Sequence, residues 1–104
     1  MSGGNVASRD DILEQVYLIA KQHLNGLNVS LYLFGSWARG EERASSDIDI
    51  AVSYRDPLPP GALAQLRLAF EESNIPYTVD LVDLTQTESE FKEKVMKEGI
   101  KWSV

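Results

Sequence analysis

The stretch Asp47-Ile48-Asp49-Ile50-Ala51-Val52-Ser53-Tyr54 decides how the rest of the chain is read. Successive side chains of a strand point to opposite faces, so these residues divide into two sets. Ile48, Ile50, Val52 and Tyr54 form one face, which reads as a surface buried against a core. Asp47, Asp49, Ala51 and Ser53 form the other, small and polar, headed by two carboxylates about 7 Å apart along the backbone. Asp is a poor strand former, so two within three residues beside Ile and Val need a reason. A wet face on an edge strand would be one. Chemistry would be the other: carboxylates at this spacing can converge on a pair of divalent ions about 3.5–4 Å apart, the arrangement used for phosphoryl and nucleotidyl transfer. Mg²⁺ takes oxygen ligands, commonly a couple of carboxylates with substrate phosphates and water.

Upstream, Val29-Ser30-Leu31-Tyr32-Leu33-Phe34 is apolar on both faces and predicts a well-buried strand that runs into Gly35-Ser36-Trp37-Ala38-Arg39-Gly40. A glycine at the end of a buried strand, then a small hydroxyl residue opening a short helix, can form an anion site. Backbone N–H groups point outward there, and small side chains let phosphate oxygens approach. An ordinary strand-to-helix turn has the same composition. The Gly-Lys-Ser/Thr end of a P-loop is absent, and so is a dinucleotide fingerprint. Downstream, Val79-Asp80-Leu81 sets a third carboxylate between apolar residues. Strand three, expected over 77–82, offers both Asp80 and Asp83. Alternation puts Thr78, Asp80 and Val82 on one face, with Tyr77, Val79, Leu81 and Asp83 on the other. The larger apolar set should face the helices, leaving Asp80 beside Asp47 and Asp49 and Asp83 to cap a turn or meet solvent.

The remaining elements alternate with these strands. Ser8 and Asp11 are a capping pair for a helix to about residue 25, with Ile12, Val16, Ile19 or Ala20, and Leu24 inward. Pro57, Pro59, Pro60 and Gly61 break the chain, and Pro59 or Pro60 suits the first turn of a helix running to about Ser73. A last helix is expected from near Thr87, with Glu90 as capping-box partner and Phe91, Val95 and Met96 inward. Gly99 stops it, and Ile100 and Trp102 dock as a tail. The expected fold is α/β: one domain over 8–104 after a flexible tail at 1–7, with a three-stranded mixed sheet flanked by about four helices.

Composition narrows the function. The chain has 104 residues, 43% hydrophobic and 25% charged, which suits one small domain and argues against disorder. No apolar run, Leu31–Phe34 included, approaches the ~18–20 residues of a membrane helix, and that one is strand-sized. The start lacks the basic and apolar segments of a signal peptide. Zero cysteines exclude disulfides, thiolate metal sites and a Cys nucleophile. A cytoplasmic protein is expected. The net charge of −6 argues against direct binding of nucleic acid or anionic membrane. His23 is the only histidine, which argues against a Ser–His–Asp hydrolase and suits a surface or half-buried role.

Taken together, Gly35-Ser36, ten intervening residues, Asp47-x-Asp49 and a later apolar-Asp-apolar strand resemble the nucleotidyltransferase superfamily of DNA polymerase β. Within it, Gly-Ser-x-Ala-Arg-Gly-Glu followed by Ser-Asp-Ile-Asp-Ile-Ala-Val resembles the minimal nucleotidyltransferases (MNT) over nearly the whole chain. The resemblance implies that Gly35 and Ser36 hold a nucleoside triphosphate. It implies that Asp47 and Asp49 bind the metal ions, two Mg²⁺, with Asp80 as third carboxylate and base toward the incoming hydroxyl. Arg39 could reach the phosphates, or be solvated, or pair with Glu41 or Glu42. Relatives of this kind are often the antitoxins of HEPN toxins, and some transfer AMP from ATP to a tyrosine of that toxin. The expected function is transfer of a nucleoside monophosphate to a hydroxyl of such a partner, with another protein or a second subunit supplying the acceptor surface. The alternative is a non-catalytic antitoxin that neutralises its partner by covering it.

Overall fold

The computed structural model describes residues 8–103; the tail expected at 1–7 lies outside the described residues. Ser8 accepts from the Asp11 N–H, and the Asp11 carboxylate accepts from the Ser8 N–H, closing a capping box on helix α1, Arg9–Leu24. Ile12, Val16, Ala20 and Leu24 form its buried stripe. Strand β1 (Val29–Phe34) leads into the four-residue helix α2 (Ser36–Arg39), and β2 spans Ile48–Tyr54. Helix α3, Ala62–Glu71, starts after Gly61 in the left-handed region, so Pro59 and Pro60 precede the helix. Strand β3 (Val79–Asp83) begins two residues later than expected. A 3₁₀ turn at Leu84–Gln86 then occupies the approach to helix α4, Ser89–Glu98. Thr87 closes that turn by donating from its hydroxyl to the Leu84 carbonyl, and Glu88 takes the N-cap without a side-chain bond. The capping box expected at Thr87–Glu90 is therefore not formed.

The sheet has four strands, not three, in the order β3-β2-β1-β4. The tail expected at Ile100 and Trp102 is strand β4 (Ile100–Ser103), paired antiparallel with β1 through Leu31↔Trp102 and Leu33↔Ile100. The physical reason lies in β1, whose Leu31, Tyr32 and Leu33 are all buried. A strand covered on both faces has two edges to satisfy, and β2 can pair with only one of them. Tyr17 secures β4 by donating from its hydroxyl to the Ser103 carbonyl at 2.7 Å and setting its ring edge-on to Trp102.

The sheet is mixed: β1 and β2 are antiparallel, β2 and β3 parallel, joined through α3. Helices α1 and α3 bury one face, where Ile48, Ile50 and Val52 meet Leu31, Leu33, Leu66 and Phe70. Helix α4 covers part of the other face, so Tyr32, Ala51, Leu84 and Val95 form a second, smaller core. Of the three residues expected to point inward from α4, only Val95 does; Phe91 and Met96 remain 38% and 45% exposed. Among the described residues no helix is long and apolar enough to cross a membrane.

Candidate active site

The site lies where β1 ends and β2 and β3 run side by side. Phe34 is the cross-strand partner of Asp49, and Asp49 is the partner of Asp80. Directly opposed residues share a face of the sheet. Phe34, Asp49 and Asp80 thus form one row across three strands, on the side that carries α4. Asp47 precedes β2 by one residue, and the Ile48 N–H bond to the Thr78 carbonyl, 2.9 Å, holds that position beside the start of β3.

Gly35 sits against this row with φ 75° and ψ −156°, a region open essentially to glycine. A Cβ there would overlap Asp49 Oδ2 and lie 3.2 Å from its Cγ. The glycine is therefore required twice, by its backbone angles and by the close approach of the carboxylate. Ser36 opens α2 with no side chain capping the turn. Helix α2 is too short to be stable alone, and Trp37 holds it. Its ring is 2% exposed, packs edge-on against Tyr77 at 5.0 Å and reaches the Ser46 carbonyl through its indole N–H at 3.4 Å. Arg9 of α1 donates to the Trp37 carbonyl, pairs with Glu42 at 3.0 Å and lies over the indole. Sequence reasoning assigned no role to Arg9 or Trp37. A tryptophan directly after a Gly-Ser turn, at the start of a polar segment, was the available signal for an anchor.

Asp49 is half-buried, and its carboxyl is pushed above the usual range by burial first, then by the charges of Asp80 and Asp47; Arg39 opposes them. Arg39 itself is exposed and its Nε pairs with Glu41 at 2.7 Å. Among the described residues, none donates a hydrogen bond or an ion pair to the carboxylates of Asp47, Asp49 or Asp80. Asp83 stands apart from them. Its carboxylate accepts from the Tyr54 hydroxyl at 2.7 Å, the Thr85 hydroxyl at 2.7 Å and the Thr85 N–H at 2.9 Å. It caps the 3₁₀ turn, the structural role alternation predicts for it. His23 is exposed on α1 beside the Ile19 carbonyl, remote in the sequence from every strand end of the site.

The donor set fits a hard divalent cation: oxygen ligands only, negatively charged and unpaired. Among the described residues the three carboxylates do not close on a single point as they stand, nor do any other three His, Cys, Asp or Glu side chains. Closing Asp49 and Asp80 on an ion needs only side-chain rotation, because the register already fixes their backbones side by side.

A mixed sheet presenting a Gly-Ser turn, an Asp-x-Asp strand and a third Asp on the adjoining parallel strand defines a nucleotidyltransferase. Residues 14–101 match the polymerase β nucleotidyltransferase family, and the chain belongs to it, in the minimal nucleotidyltransferase branch. It is 35% identical over 89 residues to the probable protein adenylyltransferase MntA of Haemophilus influenzae, covering 84% of this chain and 78% of that protein. It is 39% identical over 70 residues to the protein adenylyltransferase MntA of Shewanella oneidensis, covering 66% of this chain and 49%, about half, of that protein. It is also similar to a chain in the structure of the tri-AMPylated HEPN toxin of Shewanella oneidensis in complex with MNT antitoxin. There the identity is 25% and the TM-score 0.65, over 93% of this chain and 74% of that one.

Proposed function

We propose that this protein transfers AMP from ATP to a hydroxyl of a HEPN-type partner protein and acts as its antitoxin. The observation that carries the reading is the row Phe34–Asp49–Asp80 with Gly35 pressed against Asp49. It supports a triphosphate held at the Gly35-Ser36 turn with its α-phosphate beside the carboxylates. Asp47, Asp49 and Asp80 would hold the divalent ions, two Mg²⁺, whose chemistry there would be to polarise the α-phosphate and lower the pKa of the attacking hydroxyl. Asp80 accepts the hydroxyl proton, the acceptor oxygen bonds to the α-phosphorus, and the bond to the β-phosphate breaks to release pyrophosphate. Arg39, near Asp49 and exposed, can turn from Glu41 to the phosphates.

Two cavities flank the row and support this direction of approach. One of about 220 Å³ adjoins Gly35 and Arg39. The other, about 660 Å³, runs along β3 and α3 and is lined by Arg67, Tyr77, Thr78 and Asp80 among others. A nucleotide on the Gly35 side and an acceptor on the β3 side meet at Asp49 and Asp80. The likeness to the MntA protein adenylyltransferases supports AMP transfer to a protein, and the likeness to the MNT antitoxin bound to an AMPylated HEPN toxin supports the partner.

The test is incubation with labelled ATP, Mg²⁺ and a HEPN-type toxin. Label on the partner is expected from the wild type and from Asp83→Asn, and none from Asp80→Asn at equal folded concentration. Inhibition of the toxin that persists without ATP would favour an antitoxin that acts by covering its partner. An active Asp80→Asn beside an inactive Asp83→Asn would overturn the assignment of the third carboxylate.

A further inference from the structure

Phe34 stands in the same row as Asp49 and Asp80, so an aromatic ring borders the carboxylates on their own face of the sheet. Phe91 of α4 lies edge-on to it, ring centroids 5.8 Å apart and planes at 84°. Phe91 is not the buried residue of α4, which is Val95, one turn on. Its ring instead stays 38% exposed. Between the two rings and the Gly35 turn is a pocket of about 220 Å³, lined by Phe34, Gly35, Ala38, Phe91 and Val95. Its charged groups are Arg39, which pairs with Glu41 on the exposed side, Lys94 and Glu98. The walls between them, Phe34, Phe91, Ala38 and Val95, are apolar and offer no side-chain donor.

Such a lining is poor for a triphosphate, whose oxygens need donors and positive charge. It suits a flat heterocycle, which takes apolar walls and a few polar groups at its edge. Gly35 belongs both to this pocket and to the contact with Asp49, so the pocket lies within a nucleoside's reach of the carboxylates. We infer that this pocket is the nucleobase subsite, the base stacking on Phe91 between α2 and α4. The inference rests on the nucleotide-transfer reading above and adds to it a site for the base, with Phe91 as a binding residue.

The test is calorimetric titration of the full chain with ATP and Mg²⁺, and displacement of that ATP by inorganic tripolyphosphate, in the wild type, Phe91→Ala, Phe91→Leu and Phe91→Tyr. Phe91→Ala and Phe91→Leu should each weaken ATP about tenfold, in line with the loss of one base–aromatic stack. Tripolyphosphate affinity should not change in either, and Phe91→Tyr should bind ATP as the wild type does. The leucine variant keeps apolar bulk against Phe34, so it reads stacking even if alanine unfolds the chain. Unchanged ATP affinity in Phe91→Leu, or equal weakening of ATP and tripolyphosphate, would overturn the inference alone. A wild type that binds no ATP would overturn the transfer reading, and the subsite with it.

Discussion

The carboxyls of Asp49 and Asp83 are shifted in opposite directions from their ordinary value because of what surrounds each. Burial, then Asp80 and Asp47, raise Asp49 above its ordinary value of 3.8 despite Arg39. The folded chain then keeps a proton that the unfolded chain has lost. Stability without metal should fall as pH rises from about that value through the raised one, with the full penalty present above it. Asp49→Asn should therefore be as stable as the wild type or more so at neutral pH, the difference vanishing at acid pH. Urea unfolding in EDTA at both pH values measures it, and a large loss of stability would make Asp49 a structural residue. For Asp83 burial also pushes upward, but the Thr85 and Tyr54 hydroxyls, the Thr85 N–H and Arg67 outweigh it and hold the carboxyl below 3.8. Its contribution is present above the ordinary value and lost as pH falls through the lowered one. Asp83→Asn should cost about 1 kcal/mol at neutral pH, the scale of a hydrogen bond to a charged group partly open to water, and nothing in strong acid. Gly35→Val should abolish ATP binding, since its backbone angles alone add strain of about 1–3 kcal/mol to any other residue and the side chain displaces Asp49. Ser36→Ala, which keeps the backbone donors, should be milder in the same titration.

At the level of elements, the Gly35-Ser36 turn depends on a helix of four residues that cannot hold itself. Trp37 anchors it from inside the core and Arg9 ties it to α1. Trp37→Ala should cost about 3–5 kcal/mol, as for other large buried aromatics, a serious fraction of the roughly 5–15 kcal/mol total of a domain. ATP affinity should fall further than in Ser36→Ala even at temperatures where the variant is fully folded. Chemical unfolding with binding measured on the same samples checks both; a folded variant with normal affinity would show that α2 does not need this anchor. Strand β4 has a different function, closing the second edge of β1, so that Leu31 and Leu33 are wholly buried between neighbours.

Across the whole molecule the net charge is −6, and three of the sixteen acidic residues are gathered at one end of the sheet. Like charges held together destabilise the fold until a cation binds. ATP with Mg²⁺ should therefore raise the melting temperature, and ATP with EDTA should barely move it. Thermal unfolding in the four combinations of ATP and metal decides this. A rise of equal size in EDTA would mean that the nucleotide is held without the carboxylates. The row lies between a cavity on the Gly35 side and a groove on the β3 side, two separate openings at the carboxylates.

The amino-acid sequence by itself determined the local elements whose residues report their own surroundings. An apolar run marked β1, period-two alternation marked β2, and the Ser8–Asp11 box marked the start of α1. Alternation also separated Asp80 from Asp83, because side-chain direction along a strand depends only on position. The tertiary structure alone decided what depends on partners far along the chain. Ile100–Ser103 is a strand because β1 had a free edge, and nothing in four residues at a chain's end states that. Ala51 looked like part of a wet polar face and is buried, because α4 crosses that face. Phe91 looked like a core residue and instead lines a pocket beside the carboxylates, because a helix's apolar stripe shows which residues avoid water but not whether a sheet or a ligand covers them.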